Sequence, residues 1–398
     1  MNHTNTQCFD WNSAGIRRPY NHLVGREAAR SLLPTPALLI DHDALTRNIE
    51  RMARFARTSG IRLRPHVKTH KCIDIARLQL AAGAVGVSCA TLDELEVMAN
   101  SGVRGLLMTS PLVTPDKLKR FSEVLRQAPD TMLVVDHPEA ASALATHAGA
   151  SGVKASVLLD LDMGYHRSGV RTAVQIENVV RAVVEAPELE LVGVQAYSGD
   201  IQHIVSRTDR AIVVRTQETF LRAVIESLTH RLDRELIVSG GGTGTHRLEV
   251  DEGIMTEIQP GSYVFMDADY ARIELGLRGP DAFENALFLR ASVSGVNCSD
   301  AEFPDPFVTI DAGTKSFALN GPLPRCVTSP WQNTGFRFMG DEHGHLLAST
   351  TESLPTLGTG LEFVVPHCDP TVQHFDHYYV MQGQTLMDVW AVHARGRR

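Results

Sequence analysis

Leu236-Ile237-Val238-Ser239-Gly240-Gly241-Gly242-Thr243-Gly244 is an apolar strand run that opens into a glycine loop, and its position in the chain decides between two folds. Upstream, short β-branched runs alternate with helical stretches. The predicted strands cover residues 37–41, 61–67, 86–90, 105–110, 132–136, 155–162 and 189–197, with helices between them. Strands that are apolar on both faces and separated by helices imply a parallel sheet buried on both sides. With 236–239 the count reaches about eight units, the number that closes a (β/α)8 barrel. An open doubly wound sheet usually has fewer strands and carries its glycine loop after the first of them. Here the glycines follow the last strand, where barrels often bind phosphate.

Downstream of Asp267 the helical periodicity fades. Alternating segments at 286–296, 306–311, 362–366, 378–382 and 385–392 are separated by Gly, Pro and Asn and predict a mostly β domain. The expected organisation is a segment 1–35 that packs on the barrel or joins the β domain, a barrel over 36–270 and a C-terminal β domain over 271–398. The net charge of −8 across 398 residues gives no basic footprint for nucleic acid. No apolar run is long enough to span a bilayer, and residues 1–11 lack the apolar core of a secretory signal. Six cysteines without CxxC spacing point to reduced thiols in a cytoplasmic protein.

Candidate chemistry falls at the predicted C-terminal strand ends, where a barrel builds its site. Arg64-Pro65-His66-Val67-Lys68-Thr69-His70-Lys71 ends the second strand. A lysine hemmed in by histidines and proline is partly desolvated, which lowers its pKa and readies its amine for a carbonyl. Asp162 to Val170 and Gln195 to Gly199, with His203 after it, end two further strands. The glycine loop lets backbone N–H groups approach an anion. By itself that loop is a weak motif, and its bland reading is a flexible turn. Phosphate site and Schiff-base lysine together suggest pyridoxal phosphate. In Val364-Val365-Pro366-His367-Cys368-Asp369-Pro370, an extended chain puts His367 and Asp369 on one side and Cys368 on the other. Imidazole plus carboxylate, completed by water, suits a divalent cation, Mn²⁺ or Mg²⁺ ahead of Zn²⁺ or Co²⁺.

Taken together, PHVKTHK, DxGxxRxGV, the QAY–G segment with Gln202-His203, GGGT, QPGSYVFMD, DEHG and HCDPT resemble the metal-activated fold-type III pyridoxal phosphate enzymes. That family includes D-threonine aldolase, 3-hydroxy-D-aspartate aldolase and D-serine dehydratase, all relatives of alanine racemase. The resemblance runs from about Pro34 to the C-terminus. It implies that Lys68 forms the Schiff base and that Arg167 faces the cofactor's phenolic oxygen. It places Gly242, Thr243, Gly261 and Ser262 at the phosphate, with Tyr197 nearby. Gln259 stands where alanine racemases set an arginine against the ring nitrogen. His367 and Asp369 resemble the metal ligands, and His203 the base beside the metal. The dehydratase branch usually has cysteine at the second ligand position, so Asp369 follows the aldolase branch.

The implied activity is cleavage of a β-hydroxy-D-amino acid to glycine and an aldehyde by a homodimer. The rivals are a dehydratase giving ammonia and a keto acid, an amino-acid racemase, a pyridoxal phosphate carrier, and a sugar-phosphate or nucleotide barrel. Ser198 replaces a larger polar residue expected after Tyr197 and is placed near the substrate. His66, His70 and Lys71 are read as supporting or surface groups. His374 and His377 follow the HCD motif and are read as solvated or structural ahead of the alternative that they line the substrate pocket.

Overall fold

The computed structural model describes residues 18–297, 306–332, 334–347 and 354–396. Cys8 and Cys298 lie outside them; Cys72, Cys89, Cys326 and Cys368 are free and buried. Among the described residues, no helix is long and apolar enough to cross a membrane.

In chain order the first unit comprises β1 (Ala37–Asp41), α1 (His42–Thr58), β2 (Arg62–Leu63), α2 (Ile73–Ala81), β3 (Val87–Cys89), α3 (Leu92–Asn100), β4 (Leu106–Met108), α4 (Pro115–Gln127) and β5 (Met132–Val135). It continues with α5 (Pro138–Ser151), β6 (Ala155–Asp160), α6 (Ala173–Val184), β7 (Leu189–Ala196), α7 (Arg207–Leu232), β8 (Ile237–Gly240), α8 (His246–Asp251) and β9 (Glu257–Ile258). Eight parallel strands run in the order β2-β9-β8-β7-β6-β5-β4-β3. A parallel bridge between His66 and Ser88 joins the two ends of that order and closes the ring. Every residue of β3, β4 and β5 is buried, as expected for strands covered on both faces. Thr91 with Glu94 and Thr172 with Gln175 form capping boxes that start α3 and α6, and Pro115 and Pro138 open α4 and α5.

The second unit contains β10 (Leu287–Asn297), β11 (Phe307–Ile310), β12 (Arg325–Cys326), β13 (Gly335–Phe338), β14 (Gly344–Leu347), β15 (Gly360–Val364), α9 (Cys368–Val372), β16 (His377–Gln382) and β17 (Thr385–Ala391). Its nine-stranded sheet follows β13-β14-β11-β10-β1-β16-β17, with β15 paired to β10 and β12.

Two strands differ from expectation. β1 was expected to open the barrel; it pairs antiparallel with β10 and parallel with β16, inside the second sheet. Its apolar run is buried in either location, so local pattern does not separate the two. The eighth barrel place is taken by β9, whose two residues are too short to show a period. Residues 18–35 meet the second sheet: Leu23, Ala29 and Leu33 cluster with Tyr379, Leu386 and Val389.

Candidate active site

Strand ends deliver the barrel's candidate residues to one rim. Lys68 lies in the one-turn 3-10 helix Val67–Thr69 directly after β2. Arg167 follows β6, Tyr197 follows β7, Gly242 and Thr243 follow β8, and Gln259, Gly261 and Ser262 follow β9. His203 ends the 3-10 turn Asp200–His203 beyond Tyr197. From the second unit, His367 caps the N-terminus of α9 and Asp369 lies in its first turn.

The two units are clasped at this rim. The Ala268 and Asp269 amides donate to the Val365 and Pro366 carbonyls at 2.9 and 3.2 Å. The Cys368 amide donates to Asp267 Oδ2 at 2.9 Å. This clasp brings Asp369 to Lys68, whose Nζ donates to Asp369 Oδ1. Thr69 Oγ1 donates to Asp369 Oδ2 at 3.2 Å, and His367 Nε2 lies 3.6 Å from the same oxygen. The Asn320 side chain lies 3.0 Å from His367 Nδ1. The His203 and His367 rings are 6.4 Å apart between centroids, and His203 Nδ1 is 2.5 Å from Asp269 Oδ2.

Burial disfavours charge here, yet the partners outweigh it. Burial would raise the Asp369 pKa, but Lys68 and His367 hold it well below the usual carboxylate range. Burial would lower the Lys68 pKa; Asp369 and, to a lesser degree, Tyr197 and Glu94 raise it above the ordinary lysine value. This corrects the expected lowering: the neighbourhood read from sequence lacked the carboxylate that arrives from the distant α9. His66 and His70 are buried and pushed to low pKa, mainly by desolvation, His70 to about 3, so both are neutral.

Around Lys68 the surroundings fit a phosphate-bearing pyridoxal. Its side chain is 37% accessible, the exposure an amine needs to meet an aldehyde. Gly261 approaches the lysine's turn so closely that a Cβ would stand 2.6 Å from Thr69 Oγ1. Ser262 is buried beside Tyr270. Thr243 Oγ1 accepts from the Tyr263 amide at 3.1 Å. The Arg167 guanidinium lies 5.7 Å from the Tyr197 ring centre. Gln259 Nε2 donates to Ser239 Oγ at 2.7 Å, Ser239 Oγ donates to Glu257 Oε1 at 2.6 Å, and Glu257 pairs with Arg64 through two bonds of 2.8 and 2.9 Å. A buried polar chain thus fixes the Gln259 amide.

His367 and Asp369 also fit a cation. An imidazole nitrogen and a carboxylate oxygen converge, and the carboxylate is held ionised, able to ligate a cation in place of the Lys68 ammonium that now pairs with it. Beside Asp369 opens a cavity of about 530 Å³ lined by Lys71, Thr91, Ser110, Lys117 and His374, among others. Among the described residues, the one group of three His, Cys or acidic donors within 4.8 Å is elsewhere, at Cys72, Asp74 and His393.

Further findings revise the sequence reading. The segment after His367 is helical, not extended. His367 and Asp369 still converge because the first is an extended cap and the second belongs to the first turn. Cys368 Sγ turns away to the Met266 carbonyl. Ser198, placed near the substrate by sequence, is 1% exposed and donates to Asp200 Oδ1 at 2.6 Å. Tyr263 is wholly buried, and its hydroxyl accepts from Gln79 Nε2 at 3.1 Å. Asp269 and Tyr270 join the site as well; the sequence marks them only by two carboxylates and a tyrosine in Asp267-Ala268-Asp269-Tyr270, directly after QPGSYVFM.

Residues 40–269 match the family model described as "Alanine racemase, N-terminal domain", and residues 286–381 match the "Putative serine dehydratase domain". A 3-hydroxy-D-aspartate aldolase of Paracoccus denitrificans (strain Pd 1222) is 32% identical, covering 92% of this chain and 93% of its own. A D-threonine aldolase of Arthrobacter sp. is 31% identical over 96% of this chain and 97% of its own. The crystal structure of D-threonine aldolase from Filomicrobium marinum superposes with a TM-score of 0.84 at 33% identity, covering 92% of this chain and 96% of that one. With a shared fold and similarity along nearly the whole length, the chain belongs to the family of D-threonine and 3-hydroxy-D-aspartate aldolases that carries the alanine racemase N-terminal domain.

Proposed function

We propose that this protein is a carbon–carbon lyase that splits β-hydroxy-D-amino acids of the D-threonine or 3-hydroxy-D-aspartate type into glycine and an aldehyde, using pyridoxal phosphate and a divalent cation. The observation that carries this reading is the direct contact of Lys68 with Asp369, which sets a partly accessible lysine at the barrel rim against a carboxylate suited to a cation.

Pyridoxal phosphate supplies an electron sink for the carbanion left by Cα–Cβ cleavage. The divalent cation, Mn²⁺ or Mg²⁺ ahead of Zn²⁺ or Co²⁺, supplies a Lewis acid that acidifies a hydroxyl. The rest falls to the chain's own residues. Lys68 supplies the amine. Gly242, Thr243, Gly261 and Ser262 hold the phosphate, with Tyr197 close by. Arg167 serves the phenolic-oxygen side, and Gln259 offers the ring nitrogen an uncharged amide. His367 and Asp369 hold the cation. Asp269, at 2.5 Å from His203 Nδ1, directs the ring's proton to that nitrogen and leaves Nε2 to take the proton of the substrate's β-hydroxyl.

We also infer a cytoplasmic homodimer in which the β domain of one copy lies near the barrel mouth of the other. Residues 36–270 form the cofactor unit, lending β1 to the second sheet, and 271–398 form the cation-bearing unit. The serine dehydratase match keeps a second reading in view, with Lys68 removing the α-proton and the hydroxyl leaving. Asp369 at the second ligand position favours the aldolase. Incubation of the Mn²⁺-loaded holoenzyme with D-threonine, 3-hydroxy-D-aspartate, D-phenylserine and D-serine separates the two. Glycine with an aldehyde supports the lyase; ammonia with a keto acid replaces it by the dehydratase.

A further inference from the structure

The glycine loop rests on a carboxyl group that the proposed chemistry leaves unused. Glu249, in α8, is only 4% exposed. Thr245 Oγ1 donates to Glu249 Oε2 at 2.7 Å and accepts from the Gly242 amide at 3.1 Å and from Gln202 Nε2 at 2.9 Å. Gln202 Oε1 in turn accepts from the Gly244 amide at 2.9 Å. Gly241 has φ +67°, and a Cβ there would stand 2.7 Å from Glu249 Oε2, so the carboxyl lies against the loop's backbone. Gln202 also precedes His203, which couples the loop to the candidate base.

We propose that Glu249 is a positioning residue for the glycine loop, and hence for a phosphate dianion held by it, acting through Thr245 and Gln202. The inference rests on the reading of this loop as the phosphate site. Its physical basis is charge. A neutral carboxyl braces the loop without repelling the dianion, whereas a carboxylate sets like charge beside it. The titratable groups that face Glu249 are Glu218 from α7 and Tyr197 at the end of β7, neither of them a cation. On its own helix, Arg247 lies over the Phe55 ring and His246 bonds the Thr243 carbonyl. Arg222 and Glu252 face Glu218. Burial, reinforced by Glu218 and opposed by Thr245, pushes Glu249 up to about 8. Glu218, with a buried oxygen that lacks a partner, is pushed up to about 7 by burial and Glu252.

The test titrates the full-length apoprotein with pyridoxal phosphate and with pyridoxal between about pH 6.5 and 9.5, following absorbance. The ratio of the two affinities isolates the phosphate. In the wild type that ratio should fall about tenfold across the range, and in Glu249→Gln it should stay level. Thr245→Val should weaken pyridoxal phosphate binding and leave pyridoxal binding unchanged. A melting curve at the low end of the range checks that each variant is folded. Equal pH dependence in wild type and Glu249→Gln overturns the inference. So does a level ratio in the wild type, which decides the matter even if the variant fails to fold. The absence of any preference for pyridoxal phosphate over pyridoxal at neutral pH overturns instead the assignment of the loop to phosphate.

Discussion

Lys68 and Asp369 are 301 residues apart in the chain, and the amine of one donates directly to the carboxylate of the other. The contact crosses from the barrel rim to the first turn of α9, so it forms only when both units are folded and clasped. Each partner holds the other in its charged form.

Removing the amine tests the cofactor half of the site. Lys68→Ala should lack the visible absorbance that wild type gains with pyridoxal phosphate, and aldol cleavage should fall by at least ~10³-fold, because covalent catalysis is lost with the nucleophile. A Lys68→Ala protein that keeps the absorbance would place the Schiff base on another lysine.

Asp369→Asn tests the other half. The amide keeps the shape and discards the charge, so Mn²⁺ affinity measured by calorimetry should drop at least ~10-fold, and activity with it. Treatment of wild type with a chelator should abolish cleavage, and added Mn²⁺ should restore it. Full activity after chelation would remove the cation from the account.

Asp269 orients His203 and should act through it. Asp269→Asn should lower kcat ~10- to 100-fold with little change in KM, since the substrate is still bound while the base loses its fixed tautomer. An unchanged kcat would mean that the His203 ring needs no such hold.

The ion pair between Arg64 and Glu257, 5% and 0% exposed, carries a stability prediction. Burial would raise the Glu257 pKa, but Arg64 and Ser239 bring it below the ordinary glutamate value of 4.5. A carboxyl with a lowered folded-state pKa contributes stability above its unfolded value and loses it as pH falls through the folded one. Arg64→Met should therefore cost about 3–5 kcal/mol at neutral pH, because it strands a buried carboxylate. The deficit should shrink as pH falls, because the stranded, desolvated Glu257 of the variant takes up a proton at a higher pH than the wild-type carboxylate that Arg64 holds ionised, and it should reach its floor once pH passes below the wild-type folded-state pKa, itself under 4.5. Chemical denaturation at several pH values reads this out, and a deficit independent of pH would contradict it.

Much of this was legible in sequence because barrels place chemistry at strand ends. Lys68, Tyr197 and Thr243 each follow an apolar run that stops abruptly, so strand prediction located them without tertiary knowledge. What depended on long-range pairing stayed hidden. β1 looks like any buried strand, and only its partners β10 and β16 assign it to the second sheet. β9 is too short for periodicity and is defined by pairing with β2 and β8. The Lys68 environment was read without Asp369, which inverted the direction of its pKa. Asp269 acquires its role only where the 266–269 segment meets Pro366.

The claim that a single site joins Lys68 to a cation held by His367 and Asp369 is tested most directly by anomalous diffraction from Mn²⁺-loaded crystals of the pyridoxal phosphate form. The account predicts density continuous from Lys68 Nζ into the cofactor and a Mn²⁺ peak bound by His367 Nε2 and an Asp369 oxygen beside it. Cofactor density on another lysine, or a Mn²⁺ peak confined to a distant cluster such as Cys72, Asp74 and His393, would contradict it.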